Sequence, residues 1–214
     1  MLRVIVLRFF AFILGTLLFT FSSLNVAYAA DVEAGKMAYA VCAACHGANG
    51  EGNVALNSPK IAGQEPWYVR RQLELFRSGA RGTAAGDIYG MQMRPMAMSI
   101  VDEAAIENLI AYVQTLPVNP PAITVEGDAV AGKVAYAVCA ACHGANAEGL
   151  EQLGGPRLAG QEDWYLVRQI NNFKLGRRGY HASDIFGAQM KPMVSILVDD
   201  QAINNVTAYI NSLR

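Results

Sequence analysis

The sequence predicts an all-α fold built from two tandem copies of one small domain. A shift of 97 positions superimposes residues 35–116 on residues 132–213 without a gap, and more than half of the aligned pairs are identical. Within each copy, apolar residues recur at three- and four-residue spacing, and no alternation of apolar and polar residues marks a strand. We therefore expect two helical domains of the same architecture.

Each copy contains three stretches with helical periodicity. Asp102 is a suitable N-cap for the last helix of the first copy, and Gly79 suits the end of the helix before it. Between the helices glycine and proline are frequent, and we expect loops over Gly47–Gly63 and Gly79–Pro95. Domains with so much loop have a small hydrophobic core and commonly need a disulfide, a metal or a bound cofactor for stability. The expected helices are Ala34–Cys45, Trp67–Ser78 and the segment after Asp102, with Ala131–Cys142, Trp164–Leu175 and Asp199–Leu213 in the second copy.

The first 29 residues have the pattern of an export signal. Arginines at positions 3 and 8 precede an apolar stretch over residues 9–21, and Ala27-Tyr28-Ala29 matches the small-x-small preference of signal peptidase. An uncleaved anchor is the alternative, because residues 4–21 approach the length that spans a bilayer. We expect cleavage after Ala29 and export to the periplasm.

The repeat and the prolines between its copies set the expected domain bounds. We assign residues 1–29 to the signal peptide, 30–116 and 127–214 to the two domains, and 117–126 to a linker that its three prolines keep extended. The chain has 17 basic and 18 acidic side chains, and 53% of its residues are hydrophobic. This composition argues against disorder and against a nucleic-acid partner bound through a broad basic surface.

All four cysteines lie in two identical Cys-Ala-Ala-Cys-His pentapeptides. This is the attachment pattern of c-type haem, in which two thiols one helical turn apart form thioethers and the following histidine binds the iron. A disulfide and a redox dithiol are alternatives, but neither explains a histidine directly after the second cysteine in both copies. A zinc site is a third alternative, but a four-ligand site assembled across the repeats would not need each copy to be self-similar. We predict two covalently bound haem c groups. The residues that hold them are Cys42, Cys45, His46, Cys139, Cys142 and His143.

A methionine is the expected second axial ligand in each copy. Two methionine pairs recur at the repeat offset, Met93 with Met190 and Met96 with Met193, both within the word QM-x-PM. Core packing is the ordinary role of methionine and accounts for one member of each pair. These residues alone do not decide which pair binds iron. The remaining histidine, His181, corresponds to an alanine in the first copy, so it is no ligand common to both.

Several motifs resemble the dihaem cytochrome c4 family, whose members contain two class I cytochrome c domains. They are CAACHG, AGQE, RQ-x-x-x-F and a methionine before a last helix with an acidic cap. In that family the ligand methionine stands nine positions before the residue that opens the last helix. Counting back from Asp102 and Asp199 gives Met93 and Met190, which leaves packing roles to the other pair. This chain departs from the family in the valine before each aspartate and in its extra methionine.

The resemblance also implies roles for residues around each haem. In class I cytochromes a proline carbonyl after the haem motif accepts the other ring N–H of the ligating histidine, and Pro59 and Pro156 match it. A turn former is the alternative role for each proline. Nearby aromatic residues are expected in the core, with a polar end that reaches a haem propionate, and two arginines are expected either to neutralise propionates or to lie in solvent. These residues are Trp67, Tyr68 and Arg81, with Trp164, Tyr165 and Arg178 as their counterparts.

One-electron transfer is the function that these features imply. Histidine and methionine on each iron make both haems six-coordinate, and a methionine ligand raises the potential relative to two histidines. The resemblance implies a carrier, not an enzyme, that takes electrons from a quinol-oxidising bc1-type complex to a terminal oxidase. Loose association of the carrier with the membrane is a further expectation. The alternatives are a cytochrome subunit of an oxidoreductase, such as a sulfide-oxidising flavocytochrome, and a dihaem peroxidase.

The two copies differ at positions that we expect to be exposed. Glu74 aligns with Asn171, and Ala80 aligns with Arg177. We therefore expect the two domains to dock different partners, with Arg177 and Arg178 on a surface that one of those partners contacts.

Overall fold

Two helical domains occupy residues 29–214, the part of the chain that the computed structural model describes. The predicted signal peptide lies outside these residues except for Ala29. The predicted all-α class and the tandem arrangement are confirmed, since residues 29–214 contain helices and only two isolated β-bridges, Asn53 with Ser58 and Leu150 with Gly155. The helices are α1 (Val32–His46), α2 (Pro66–Ser78), α3 (Ile88–Met98), α4 (Glu103–Val113), α5 (Ala129–Tyr136), α6 (Ala140–His143), α7 (Asp163–Lys174), α8 (Ile185–Val194) and α9 (Asp200–Ser212), with a 3₁₀ turn at Glu151–Leu153.

Aspartate N-caps determine where six of these helices begin. The Oδ1 atom of Asp31 accepts a hydrogen bond of 3.0 Å from the N–H of Ala34, and Asp102 accepts one of 2.8 Å from Ala105. Each such cap satisfies a backbone donor that the helix leaves free, which stabilises the helix by about 1 kcal/mol. The other four caps are Asp87, Asp128, Asp184 and Asp199.

The prediction of a loop over Gly79–Pro95 is wrong for the second half of that segment. α3 begins directly after its cap, Asp87, and continues through Pro95. Proline removes one intrahelical hydrogen bond, and the cap together with the rest of the helix offsets that loss. The same arrangement in the second domain produces α8, which contains Pro192. The methionines of the QM-x-PM words therefore lie on helices.

The prediction of one continuous helix over Ala131–Cys142 is also wrong. The N–H of Cys139 bonds to the carbonyl of Tyr136 at 2.8 Å, which is the i to i+3 spacing of a 3₁₀ turn. This tighter turn separates α5 from α6. In the first domain, the corresponding residues remain within the single helix α1.

In each domain the first and last helices cross at a glycine. A β-carbon added to Gly35 would lie 1.9 Å from the carbonyl oxygen of Asn108 in α4, and one added to Gly132 would lie 1.9 Å from that of Asn205 in α9. The side-chain oxygen of Asn108 also accepts a 2.7 Å hydrogen bond from the N–H of Asp31. Only glycine permits this approach, so the repeated glycine fixes the helix crossing on which each core is built.

The cores are small and lie mainly between the terminal helices and α2 or α7. The first contains Tyr39, Leu73, Phe76, Leu109 and Val113 among its buried residues. Its counterpart contains the equivalent tyrosine and the apolar face of α9. Within residues 29–214, every helix falls short of the length or apolarity needed to cross a membrane.

Both domains hold the segment between α4 and α5. Residues 117–128 contain neither helix nor strand. The ammonium group of Lys60 donates to the carbonyl of Asn119, and the fully buried carboxylate of Asp163 accepts hydrogen bonds from the N–H of Thr124 at 2.6 Å and of Val125 at 2.9 Å. These contacts fasten the connector along the boundary between the domains.

We predict that Gly35→Ala lowers the free energy of unfolding by about 1–3 kcal/mol, because the added methyl group overpacks the crossing of α1 and α4. Chemical denaturation of the haem-loaded protein measures the change. Met37→Ala is the matched control, since Met37 lies two residues away on the same helix and is 74% exposed. A Gly35→Ala midpoint equal to or above that of the unchanged protein would contradict the prediction.

Candidate functional site

Each CxxCH motif lies where a helix ends. In the first domain the motif occupies the last turns of α1, and Gly47 follows it with a φ of 82°. Cys42 is half-buried and packs against the core, whereas Cys45 is exposed. None of the four cysteines forms a disulfide. Among residues 29–214, no three His, Cys, Asp or Glu side chains converge to hold a metal ion, so the two motifs do not assemble a common zinc site.

The histidine of each motif is held in one tautomer. The Nδ1 atom of His46 lies 2.7 Å from the carbonyl oxygen of Pro59, and Nδ1 of His143 lies 2.7 Å from that of Pro156. A carbonyl oxygen only accepts, so Nδ1 must carry the proton in both rings. The lone pair on each Nε2 is then free to bind a metal. The Nε2 atom of His143 is buried and has no hydrogen-bond partner.

Burial keeps both imidazoles neutral. It lowers the pKa of His46, and the hydrogen bond to Pro59 opposes this shift only in part. Burial also lowers the pKa of His143, with a further lowering from the nearby charge of Arg178. A neutral ring is the form that binds iron, since protonation would occupy the Nε2 lone pair.

The two methionine pairs occupy different environments. Met93 is half-buried and packs against the first core, and Met190 is half-buried in the corresponding place on α8. Met96 and Met193 are each 38% exposed. Because the members of QM-x-PM are three residues apart on a helix, both could point to one side, but the structure buries the first member more deeply in each domain.

A cavity at the boundary between the domains reaches both the histidine and the methionine of the second domain. It has about 810 Å³ of empty space, part of it open to solvent, and both His143 and Met190 line it. The unpaired Nε2 atom of His143 and the sulfur of Met190 are the donor types that the iron of a c-type haem takes, and Cys139 and Cys142 of the same motif are the thiols that attach such a haem. The residues present therefore fit a covalently attached haem in this domain, and the repeat supplies the same residue types in the first.

The domains face each other across an approximate two-fold axis. Thr83 and Tyr180 occupy equivalent positions in the repeat, and their hydroxyl groups lie 2.6 Å apart, so the axis passes near them. Arg71 donates to the carbonyl of Gly154 at 3.0 Å, and the equivalent Arg168 donates to that of Asn57 at 3.2 Å. Contacts of this kind occur in pairs, one from each domain.

Two arginines form the centre of this interface. Arg81 donates to the hydroxyl of Tyr165 at 3.2 Å, and Arg178 donates to that of Tyr68 at 2.9 Å. Each is 7% exposed, so the alternative of solvent exposure is wrong for both. Their other side-chain partners are uncharged amides, at Gln72 and Gln169. Sequence reasoning missed these glutamines, although both lie within the repeated RQ-x-x-x-F word.

The tryptophans do not share this network. Arg71 lies over the ring of Trp67, 4.5 Å from its centroid, and Arg168 lies 4.8 Å from the ring of Trp164. Each tryptophan therefore supports an arginine that crosses the interface. The aromatic residues that line the cavity with a hydroxyl group are Tyr68 and Tyr165.

The predicted docking residues lie in mixed environments, and Glu74 is exposed as expected. Ala80 is fully buried, and Arg178 belongs to the interdomain network. Arg177 is half-buried, and its guanidinium would lie about 3 Å from a β-carbon added to Gly86 of the other domain. The expectation that Arg177 and Arg178 form a partner surface is therefore wrong, because the domain interface already occupies that side.

Comparison with known proteins agrees with this architecture. The Cytochrome c family model matches the chain twice, over residues 32–117 and 129–214. Cytochrome c4 of Azotobacter vinelandii is 30% identical over 212 residues, which are 94% of this chain and 98% of that protein. The thiosulfate dehydrogenase electron acceptor of Stutzerimonas stutzeri (strain A1501) is 32% identical over 157 residues, 68% of each chain.

A solved structure shows the same fold. The crystal structure of reduced recombinant cytochrome c4 from Pseudomonas stutzeri matches with a TM-score of 0.66 and 26% sequence identity, covering 87% of this chain and 100% of that one. The tandem family match, the relative that spans almost the whole chain and this structure agree with one another. The chain therefore belongs to the cytochrome c4 family, and its two cytochrome c domains bind two covalent haem c groups that carry electrons.

Proposed function

We propose that this chain is a periplasmic electron carrier in which His46 and Met93 bind one haem iron and His143 and Met190 bind the other. One observation carries the proposal. The Nε2 atom of His143 is buried without a partner, in a cavity that Met190 also lines. A buried nitrogen acceptor without a hydrogen bond is costly, and a haem iron is the partner that the two thiols of the same CxxCH motif imply.

The chain's own residues prepare each site for electron exchange without large rearrangement. Haem supplies reversible one-electron transfer between ferric and ferrous iron. The carbonyls of Pro59 and Pro156 hold the histidines in the tautomer that binds iron. The N-caps of α3 and α8 fix the helices that bear Met93 and Met190. A histidine and a methionine for each iron would leave peroxide or another small molecule no coordination site, which supports a carrier over an enzyme.

Arg81 and Arg178 are placed to neutralise haem propionates. Both guanidinium groups are buried, and their hydrogen-bond partners are tyrosine hydroxyls and glutamine amides. Against the effect of burial, Tyr68, Tyr165 and the carboxylate of Asp184 raise the pKa of Arg178. Burying a cation is costly unless an anion compensates it. Arg178 also lines the cavity with Tyr68 and Tyr165. We infer that Arg81 and Arg178 would hold the haem propionates at the interdomain boundary.

The proposed path takes electrons from a quinol-oxidising bc1-type complex to a terminal oxidase. This path rests on membership of the cytochrome c4 family and on the proposed export, with cleavage after Ala29. We propose the same domain bounds as above, with domains at 30–116 and 127–214 and a linker at 117–126. A second candidate is the electron-accepting partner of a dehydrogenase that oxidises a sulfur compound. The relative named as a thiosulfate dehydrogenase electron acceptor favours it.

We predict that Met93→Leu removes half of the weak near-infrared absorption band that reports methionine bound to ferric iron, and that Met190→Leu removes the other half. Leucine conserves the volume of the side chain without its sulfur, so the fold should survive. Met96→Leu and Met193→Leu are matched controls three residues away and should leave the band intact. Loss of the band in the controls instead would move the ligand assignment to the second pair.

We predict that the reduced protein transfers one electron per haem to a terminal oxidase and that a quinol-oxidising complex reduces it again. Stopped-flow absorption at the haem bands measures both steps. The isolated chain should not turn over peroxide or sulfide, because a histidine and a methionine on each iron would leave neither compound a coordination site. Rapid turnover of either compound would contradict the carrier role, and reduction only by a sulfur-compound dehydrogenase would support the second candidate.

A further inference from the structure

One peptide group lies between the histidine of the first domain and a carboxylate of the second. The carbonyl of Pro59 accepts the hydrogen bond from Nδ1 of His46 at 2.7 Å. The N–H of the same peptide group belongs to Lys60, and it donates to Oε2 of Glu162 at 2.7 Å. A continuous chain of hydrogen bonds therefore runs from the carboxylate of one domain to the imidazole of the other.

The same arrangement occurs with the domains exchanged. Nδ1 of His143 bonds to the carbonyl of Pro156 at 2.7 Å, and the N–H of Arg157 lies 3.0 Å and 3.2 Å from the two carboxylate oxygens of Glu65. Glu65 and Glu162 are the last residues of the two AGQE words. Each domain thus supplies a carboxylate to the other domain's histidine.

The first of these contacts is enclosed. Glu162 is only 6% exposed, and the neighbouring Gln161 donates from Nε2 to the carbonyl of Lys60 at 3.0 Å, which clamps the same backbone segment. A glycine provides the space. A β-carbon at Gly52 would lie 2.2 Å from Oε1 of Glu162, and this glycine has a φ of 87°. At the second contact, a β-carbon on Gly149 would lie 2.3 Å from Glu65.

We propose that Glu162 and Glu65 are positioning residues that lower the reduction potential of the haem in the opposite domain. We name haem 1 and haem 2 as the groups attached in the first and second domains. A carboxylate bound to the peptide N–H polarises the peptide and strengthens its carbonyl as an acceptor. The histidine then gains anionic character and donates more strongly to iron, which favours the ferric state. This inference rests on the proposed ligation of the irons by His46 and His143.

The two carboxylates are expected to act with unequal strength. Burial raises the pKa of Glu162 to about 7, although the N–H and charge of Lys60 and the charge of Arg168 lower it and Asp163 raises it further. Burial also raises the pKa of Glu65, against its hydrogen bonds and the charges of Arg157 and Arg71. Glu162 is the more enclosed of the two, so its effect on haem 1 should exceed that of Glu65 on haem 2.

The sign of the pH dependence follows from the charge of Glu162. Below its pKa the carboxyl group is neutral and polarises the peptide little, so the potential of haem 1 is high. Above its pKa the carboxylate lowers that potential. Reduction adds one electron to the iron, and near neutral pH Glu162 takes up part of a proton from solvent at the same time. The potential of haem 1 should therefore fall as the pH rises through about 7.

The test compares three variants of the haem-loaded protein: Glu162→Gln, Glu65→Gln and the control Glu51→Gln. Glutamine keeps the acceptor oxygen and removes the charge. Glu51 is a matched control because it lies in the loop Gly47–Gly63 of the first domain. It accepts a hydrogen bond from the N–H of Asn49, not from the Pro59–Lys60 peptide. NMR resolves the two haems during a redox titration. The Nδ1–H resonances of His46 and His143 in the ferrous protein report hydrogen-bond strength independently.

We expect Glu162→Gln to raise the potential of haem 1 alone, to remove its pH dependence near 7 and to move the Nδ1–H resonance of His46 upfield. Glu65→Gln should raise the potential of haem 2 by less. A shift in Glu162→Gln no larger than that in Glu51→Gln, or one shared equally by both haems, would overturn the proposal. If Glu162→Gln fails to fold, a potential of haem 1 in the unchanged protein that stays constant from pH 6 to pH 8 overturns it. The near-infrared band and haem-shifted histidine signals of the unchanged protein test the ligation separately.

Discussion

The hydrogen bond from each motif histidine to a proline carbonyl is the constraint on which the rest of the structure depends. It fixes the tautomer and orientation of the ring, so the free Nε2 atom has only one direction in which to bind iron. The carbonyl belongs to a loop that is itself tied to α1, because the hydroxyl of Tyr39 donates to the carbonyl of Gly47 at 2.7 Å. The glycine crossing of α1 and α4 supports that helix in turn.

The same loop also carries the interface between the domains. Its peptide after the proline faces outward and is bonded to Glu162 or Glu65 of the other domain. Buried guanidinium groups and tyrosines complete the boundary, and Asp163 fastens the connector across it. The inner side of each loop therefore orients a haem ligand, while its outer side joins the domains. A domain separated from its partner would lose the outer half of this arrangement.

Sequence reasoning recovered the tandem fold and the haem motifs because both leave local and repeated patterns. It placed Met93 in a loop, since the glycines and Pro95 suggested an irregular segment and the cap at Asp87 was overlooked. The residues of the interface were missed, because Arg81, Gln72 and Glu162 are polar and their burial depends on contacts between the copies. When one domain is considered alone, such polar residues are expected to be exposed. The exact repetition of AGQE and RQ-x-x-x-F was the signal that could have identified them.

X-ray absorption spectroscopy at the iron edge tests the central claim most directly, because it measures which atoms are bound to each iron beside the histidine nitrogen. If each Nε2 and the buried methionine of the same domain bind iron, the average iron should have one sulfur and five nitrogen neighbours in both oxidation states. A first shell of six nitrogens, or of five atoms without sulfur, would contradict the account.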